Sequence, residues 1–139
     1  MLDIEKKARD FAQEKHENQM DDEGKPYFTA HVLPVVNIVK QVSNDMDIIC
    51  AAYLHDVVED CKVTVAELEV EFNPRIAGLV YEVTHDGCKE TGYIFPRLKT
   101  KEGIILKFAD RLSNISRMGS WNEQRQAHYL KKSKFWNVE

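Results

Sequence analysis

Apolar residues recur every three or four positions along most of this chain, which is the spacing of amphipathic α-helices. In chain order, the pattern predicts helices over residues 2–17, 29–42, 46–60, 64–72, 75–83, 103–118 and 123–135. Residues 84–95 contain two glycines and show no period, so we expect a loop there. No convincing alternation with period two marks a strand. The sequence therefore predicts an all-α fold, a compact helical bundle in a single domain over residues 1–139.

The end of the third predicted helix carries an unusual concentration of charge. The apolar run 48–54 is followed by His55-Asp56 and then by Glu59-Asp60. Burying such groups without a partner is unfavourable. No lysine or arginine lies between Gln41 and Cys61, which excludes a local salt-bridge network. A bound metal ion is the better explanation, although a satisfied core pair of His55 and Asp56 stays open.

Two further residues are candidate metal ligands. Asp110 lies in the mainly apolar helix 103–118, with Asn114 on the same face one turn later. His31 stands at the start of another strongly apolar segment. Two imidazoles and two carboxylates would form a mixed nitrogen and oxygen site, which suits Mn, Fe or another divalent transition metal better than structural Zn.

Composition excludes several classes of function. The net charge of -4 and the pI near 5.7 argue against a nucleic-acid surface, but not against a small anionic ligand held by a metal. No apolar run approaches the length of a membrane span, and the charged N-terminus does not resemble a signal peptide. Three cysteines without CxxC spacing indicate reduced thiols, so we expect a cytoplasmic protein. His16, His85 and His128 are assigned to the surface.

The order His31, His55-Asp56, Asp110 resembles the H…HD…D pattern of the HD-domain metal-dependent phosphohydrolases. The similarity runs from about residue 8 to residue 118 and is closer to one branch, the (p)ppGpp hydrolase domain of RelA/SpoT proteins and the small alarmone hydrolases. The matching segments are GKPY (24–27) with His31, LHDVVED (54–60), 64–72, and KFADRL (107–112) with Asn114.

This resemblance implies a reaction and a set of site residues. The reaction is removal of the 3′-pyrophosphate from (p)ppGpp or a related nucleotide, by attack of metal-bound water on phosphorus. The implied ligands of one Mn²⁺-like ion are His31, His55, Asp56 and Asp110. Glu59 and Asp60 would flank the water, one of them accepting its proton. Asn114 would contact the ribose or phosphate of the substrate, and Tyr27 would help to shape the pocket.

The chain departs from the family in the loop after the first helix. Where the alarmone hydrolases usually carry a basic pair, this sequence has Asp21 and Asp22, and nearby Lys25 would compensate only in part. The sequence therefore leaves two alternatives open. One is an HD hydrolase of other nucleotides or phosphomonoesters, and the other is a catalytically silent module that binds a nucleotide or a partner. It indicates no oligomeric state.

Overall fold

The computed structural model describes residues 3–84, 86–88, 92–94 and 98–132. Its helices are α1 (Asp3–Lys15), α2 (Leu33–Val42), α3 (Met46–Leu54), α4 (Val57–Asp60), α5 (Val65–Glu71), α6 (Pro74–Val83), α7 (Lys101–Arg117) and α8 (Glu123–Lys132). A π-helical turn, Phe28–Val32, leads into α2, and a 3₁₀ turn, Met118–Ser120, follows α7. The predicted all-α fold is confirmed. His85 and the predicted continuation of the last helix to residue 135 lie outside the described residues.

Helix α3 is the centre of the bundle. It packs against α1, α2, α6 and α7, and every residue from Ile48 to Leu54 is buried. A helix that is apolar on all sides is stable in water only when other helices cover every side. The carboxylate of Asp45 caps its first turn by accepting a hydrogen bond from the amide of Asp47. Because α3 ends at Leu54, His55 follows directly after this buried helix.

The predicted single helix over residues 46–60 is wrong in one respect, because it is interrupted at His55 and Asp56. Helix α3 ends at Leu54, and the short helix α4 begins at Val57. The backbone stays near helical angles through the break, with φ −60°, ψ −28° at His55 and φ −106°, ψ −2° at Asp56. Since the pattern of apolar residues is continuous across it, periodicity alone does not reveal this break.

The predicted loop 84–95 contains a short antiparallel ladder. Strand β1 (Asp86–Cys88) pairs with β2 (Gly92–Ile94), with Gly87 opposite Tyr93. Strands of three residues are too short to show an alternation of period two, which needs four or more positions. This small hairpin leaves the helical character of the fold unchanged.

A capping box stands at the start of α5. The hydroxyl of Thr64 accepts a hydrogen bond from the amide of Glu67, and the carboxylate of Glu67 accepts one from the amide of Thr64.

None of the helices among the described residues is long and apolar enough to cross a membrane.

Glu5 connects three helices inside the bundle. Its carboxylate is 6% exposed and accepts hydrogen bonds from Tyr53 on α3, at 2.9 Å, and from Lys40 on α2, at 2.6 Å. Burial acts to raise the pKa of Glu5, but the bonds from Lys40 and Tyr53 outweigh it and hold the pKa below its ordinary value. The ionised carboxylate therefore stabilises the fold.

We expect Glu5→Gln to lower the free energy of unfolding by about 1–3 kcal/mol at neutral pH, because charged hydrogen bonds contribute about that much. The pKa of Glu5 is lowered in the folded chain, so its contribution is complete above the unfolded pKa and disappears as the pH falls through the folded pKa. Urea unfolding of both proteins across this range tests the sign. The control is Glu69→Gln, an exposed change on α5. A difference that does not shrink in acid would contradict the assignment.

Candidate metal centre and active site

Four side chains from three separate parts of the chain meet at one buried point. His31 comes from the π-helical turn, His55 and Asp56 from the break between α3 and α4, and Asp110 from α7. One potential ligand atom from each lies within 4.8 Å of all the others. The two imidazoles are 0% and 3% exposed, and the two carboxylate residues are each 9% exposed. The structure thus brings together the four residues that the sequence singled out.

The contacts within this His/Asp cluster are short. The Nε2 atoms of His31 and His55 lie 3.1 Å apart. Asp110 Oδ1 is 2.9 Å from Nε2 of His31 and 3.3 Å from Nε2 of His55. Asp56 Oδ2 is 2.9 Å from Nε2 of His55 and 3.3 Å from Nε2 of His31. All four side chains therefore point at the same small volume.

The break after α3 explains how two adjacent residues reach the same point. Neighbouring side chains on a continuous helix do not face each other. At the break, Nδ1 of His55 donates to the carbonyl of Ala52 at 2.7 Å, the oxygen that a continuing helix would bond to the amide of Asp56. The imidazole replaces that backbone partner, and His55 and Asp56 both turn into the cluster.

The donor set fits a divalent metal ion. Because Nδ1 of His55 gives its proton to a carbonyl, Nε2 is the ring nitrogen that would offer a lone pair to a metal ion in place of a proton. Nδ1 of His31 lies 2.9 Å from the hydroxyl of Ser113, which is likewise a partner on the side away from the cluster. A bonded second ring nitrogen is the usual arrangement of metal-binding histidines. The carboxylates of Asp56 and Asp110 supply the negative charge that a cation requires.

The histidines and aspartates of the cluster shift one another's pKa values. Burial acts to lower the pKa of His55, but the charge of Asp56 and a hydrogen bond to Asp110 raise it well above its ordinary value. Burial acts to raise the pKa of Asp110, yet its bonds to His31 and His55 hold it well below its usual range. Burial likewise acts to raise the pKa of Asp56, but His55 and His31 hold it well below its usual range. Both carboxylates therefore keep their charge and favour positive charge between them.

Tyr27 supports the cluster from the side of the loop. Its hydroxyl donates a hydrogen bond of 2.6 Å to Asp56 Oδ2, and its ring lies against His31, with centroids 5.2 Å apart. Burial, followed by the charge of Asp56, raises the pKa of Tyr27 far above its ordinary value, so the hydroxyl keeps its proton. The structure therefore gives Tyr27 a definite contact that orients a cluster carboxylate.

Glu59 and Asp60 form an acidic pair beside the cluster, on α4. Both residues are exposed, so a substrate can reach them. Partial burial and the charge of Asp56 raise the pKa of Asp60 to about 6, against a hydrogen bond from Gln19 that lowers it. A carboxylate in this range can accept a proton near neutral pH.

An open cleft of about 430 Å³ begins at Glu59 and extends along α7 and α8. Its lining residues are Asp22, Glu59, Asn114, Arg117, Trp121, Arg125, His128 and Tyr129. Asn114 donates to the hydroxyl of Tyr129 at 2.8 Å and accepts from Arg117 at 2.7 Å. The predicted substrate residue Asn114 therefore lies in the cleft, with its amide fixed by two neighbours.

The acidic loop is paired with arginines. Asp21 binds Arg117 at 3.2 Å and also accepts from the amides of residues 23 and 25. Asp22 binds Arg125 at 3.1 Å and accepts a hydrogen bond of 2.7 Å from the indole of Trp121. These cations offset the negative charge that the sequence alone led us to expect. Lys25 lies on the same loop, where its ammonium group is 3.2 Å from Glu23.

The assignment of His16 to the surface is wrong, because the residue is 1% exposed. It follows the last turn of α1 and packs against the ring of Tyr27, with centroids 5.3 Å apart. His128 is exposed as predicted. The residues next to His16, from 13 to 19, are all polar and suggest a surface position. Its spacing of four from Ala12, which is buried, is the signal that places it on the inner face of the helix.

Several other residues lie near the site, and the sequence gives little or no indication that they do. Ser113 follows Asp110 by three positions and therefore shares its helix face, a signal that helical spacing does contain. Lys107 also shares that face, is 2% exposed, and places its ammonium group 3.6 Å from Asp110. The cleft residues Trp121 and Arg125 belong to a different element, and no local pattern relates them to the site.

Comparison with known proteins identifies the family. Residues 8–87, more than half of the chain, match the family model described as HD domain. The chain belongs to the HD domain family. The match includes His31 and the His55-Asp56 pair, and Asp110 lies beyond it.

Relatives of this HD domain are named as ppGpp hydrolases. The guanosine-3′,5′-bis(diphosphate) 3′-pyrophosphohydrolase MESH1 of Homo sapiens is 33% identical, over 88% of this chain and 76% of that protein. The guanosine-3′,5′-bis(diphosphate) 3′-pyrophosphohydrolase of Aquifex aeolicus is also 33% identical, over 91% of this chain and 19% of that protein. The chain thus spans about a fifth of the length of the bacterial relatives it matches.

A solved structure agrees with these relatives. It is reported as a metazoan ortholog of SpoT that hydrolyses ppGpp and plays a role in starvation responses. It superposes with a TM-score of 0.81 and 26% identity, over 96% of this chain and 83% of that one. The predicted resemblance to the HD-domain phosphohydrolases of the RelA/SpoT type is confirmed.

Proposed function

We propose that this chain is a metal-dependent phosphohydrolase that removes the 3′-pyrophosphate of ppGpp or a closely related nucleotide. The observation that carries the proposal is the buried His/Asp cluster with an exposed acidic pair beside it and a cleft leading away from that pair. Relatives named as ppGpp 3′-pyrophosphohydrolases support the choice of substrate. The balanced reaction consumes water and ppGpp and yields GDP and pyrophosphate.

His31, His55, Asp56 and Asp110 would hold the ion, and we propose Mn²⁺ because the donors are mixed nitrogen and oxygen. A divalent ion in this position lowers the pKa of a coordinated water and offsets the charge of the phosphate. Asp60 accepts the proton of the attacking water, since its pKa of about 6 suits that role near neutral pH. Glu59, at the edge of the cleft, orients the water or assists the leaving group.

The cleft would bind the rest of the nucleotide. Asn114 presents its fixed amide to the ribose or phosphate. The exposed ammonium group of Lys25, which pairs with Glu23, would contact phosphate from the loop. Tyr27 contributes indirectly by orienting Asp56 at 2.6 Å. These residues bind and orient the substrate, and the acidic pair moves the proton.

A screen of substrates tests this function. Purified protein with added Mn²⁺ is offered ppGpp, ordinary nucleotides and a generic phosphoester, and the products are separated by anion exchange. We expect GDP and pyrophosphate from ppGpp, at a higher kcat/KM than for any other compound. Equal turnover of a generic phosphoester would contradict the alarmone specificity. Bound metal without any turnover would instead favour a silent binding module.

A less highly charged nucleotide is the second candidate substrate. Arg117 and Arg125, which line the cleft, are already engaged by Asp21 and Asp22. Fewer positive charges are then left to meet a 5′-diphosphate, although the pair of Asp22 and Arg125 is exposed and a polyanion can compete for it. In the same screen, preferred turnover of a 3′-phosphorylated nucleotide that lacks the 5′-diphosphate would support this candidate.

The contact of Ser113 with His31 gives a prediction about metal affinity. We expect Ser113→Ala to weaken metal binding about tenfold to a hundredfold, because residues that bond the second nitrogen of a ligating histidine have effects of this size. Titration of the metal-free protein with Mn²⁺ measures the change. Ser116→Ala is the matched control, since the hydroxyl of Ser116 lies on the same helix and donates to the backbone carbonyl of Ser113. Equal affinities of the two variants would contradict the role of Ser113.

A further inference from the structure

The segment that follows α1 contacts two carboxylates, that of Asp56 in the break and that of Asp60 at the end of α4. Tyr27 holds Asp56 through its hydroxyl, at 2.6 Å. Gln19 holds Asp60 through its side-chain amide, with Nε2 3.2 Å from Oδ2. The proposed function accounts for the first contact, since Asp56 belongs to the His/Asp cluster. The second contact is made to Asp60, the carboxylate that accepts the proton in the proposed function.

Gln19 is fixed at four atoms. Its backbone amide donates to the carbonyl of His16 at 2.9 Å, and its carbonyl accepts from the amide of Tyr27 at 2.9 Å. Its side-chain oxygen lies 2.7 Å from Nδ1 of His16. With Nε2 bonded to Asp60, neither the backbone nor the amide group of Gln19 can rotate without loss of a hydrogen bond.

The chemistry of the three groups determines which atom donates. A carboxylate only accepts, so the NH₂ group of Gln19 must face Asp60. Its amide oxygen then faces His16, and Nδ1 of His16 must carry the proton. Burial lowers the pKa of His16, which keeps the imidazole neutral with that single proton. His16 is 1% exposed and lies against Tyr27, so its own position is set by packing.

We propose that Gln19 and His16 are positioning residues for the reaction: His16 fixes the amide of Gln19, and Gln19 holds the carboxylate of Asp60 at the edge of the His/Asp cluster. The inference rests on the proposed function, in which Asp60 accepts the proton of water. Asp60 is exposed, and an exposed aspartate otherwise samples several rotamers. A misplacement of about 1 Å can reduce a rate a hundredfold, so a fixed donor at this point matters for kcat.

The alternative is that Gln19 only anchors the loop to α4. The two roles differ in their coupling to Asp60, and a double-mutant cycle measures that coupling. We expect Gln19→Leu to lower kcat about tenfold to a hundredfold, with KM changed less than about twofold. In an Asp60→Asn background the same change should have almost no further effect on kcat. The melting temperature and the bound metal should match the wild type.

Three more variants serve as a control and as a test of His16. Gln13→Leu, an exposed change on α1, is the matched control. His16→Asn places an amide NH₂ where Nδ1 donates and should recover most of the activity that His16→Leu loses. Full activity of Gln19→Leu would overturn the proposal. An equal loss of kcat in the wild-type and Asp60→Asn backgrounds would also overturn it, because it would show a loop anchor.

A measurement without turnover separates this proposal from the proposed function. In ¹H–¹⁵N spectra we expect the side-chain amide signals of Gln19 to shift and to lose protection from solvent exchange in Asp60→Ala and in His16→Leu. Unchanged signals in both variants would overturn the positioning contact. If no nucleotide is hydrolysed by the wild type, the proposed function fails, while the spectra still decide whether Gln19 holds Asp60.

Discussion

Asp110→Asn is expected to remove the bound metal and to lower kcat/KM at least about a thousandfold, a loss of roughly 4 kcal/mol of transition-state stabilisation. Asp110 is the point at which both histidines converge, with contacts of 2.9 and 3.3 Å. An asparagine has the same shape but no negative charge, so the cluster would attract a cation less strongly. Metal analysis of the purified variant and the ppGpp assay measure the two effects.

The matched control for Asp110→Asn is Asp10→Asn, which makes the same chemical change at an exposed position of α1. It should keep the metal and the activity of the wild type. Circular dichroism of both variants shows whether the helices persist. Equal metal content in Asp110→Asn and the wild type would exclude Asp110 as a ligand.

Asp60→Asn is expected to keep the metal and to lower kcat about a hundredfold to ten-thousandfold, the usual contribution of a general base. Asp60 lies outside the set of four ligands, so its replacement leaves their donors intact. We therefore expect the metal content to stay unchanged while kcat falls. Steady-state kinetics with saturating Mn²⁺, together with metal analysis, tests it.

Comparison with Glu59→Gln shows which member of the acidic pair moves the proton. Glu59 lines the cleft, so its loss should raise KM as well as lower kcat. Glu69→Gln again serves as the exposed control. A variant Asp60→Asn that loses metal in parallel with activity would contradict the separate roles.

The residues of the His/Asp cluster could be predicted from the sequence because their chemical type stands out. His31, His55-Asp56 and Asp110 stand in otherwise apolar segments, where a charge needs a partner. The break at His55 was not predictable in the same way. Its backbone angles stay close to helical, so the apolar period continues through it.

The pairs that line the cleft could not be predicted, because their members lie far apart in the chain. In the sequence Asp21 belongs to the acidic run 21–23, and its partner Arg117 lies 96 residues further along the chain. Trp121, which donates to Asp22, lies 99 residues away from it. Pairing at such separations depends on how the helices pack, so no local pattern contains it. The contact of Gln19 with Asp60 could not be predicted from the sequence for the same reason, since the two residues are 41 positions apart.

The position of His55 and Asp56 at the end of α3 links ion binding to the stability of the whole fold. His31 precedes His55 by 24 residues and Asp110 by 79, so the donors come together only when the chain is folded. A helix buried on all sides belongs to the part of a protein that opens last, so local fluctuations do not scatter these donors. An ion at a hundred times its Kd would then stabilise the fold by about 2.7 kcal/mol. Melting curves at graded ion concentrations therefore measure the affinity of the site without any substrate.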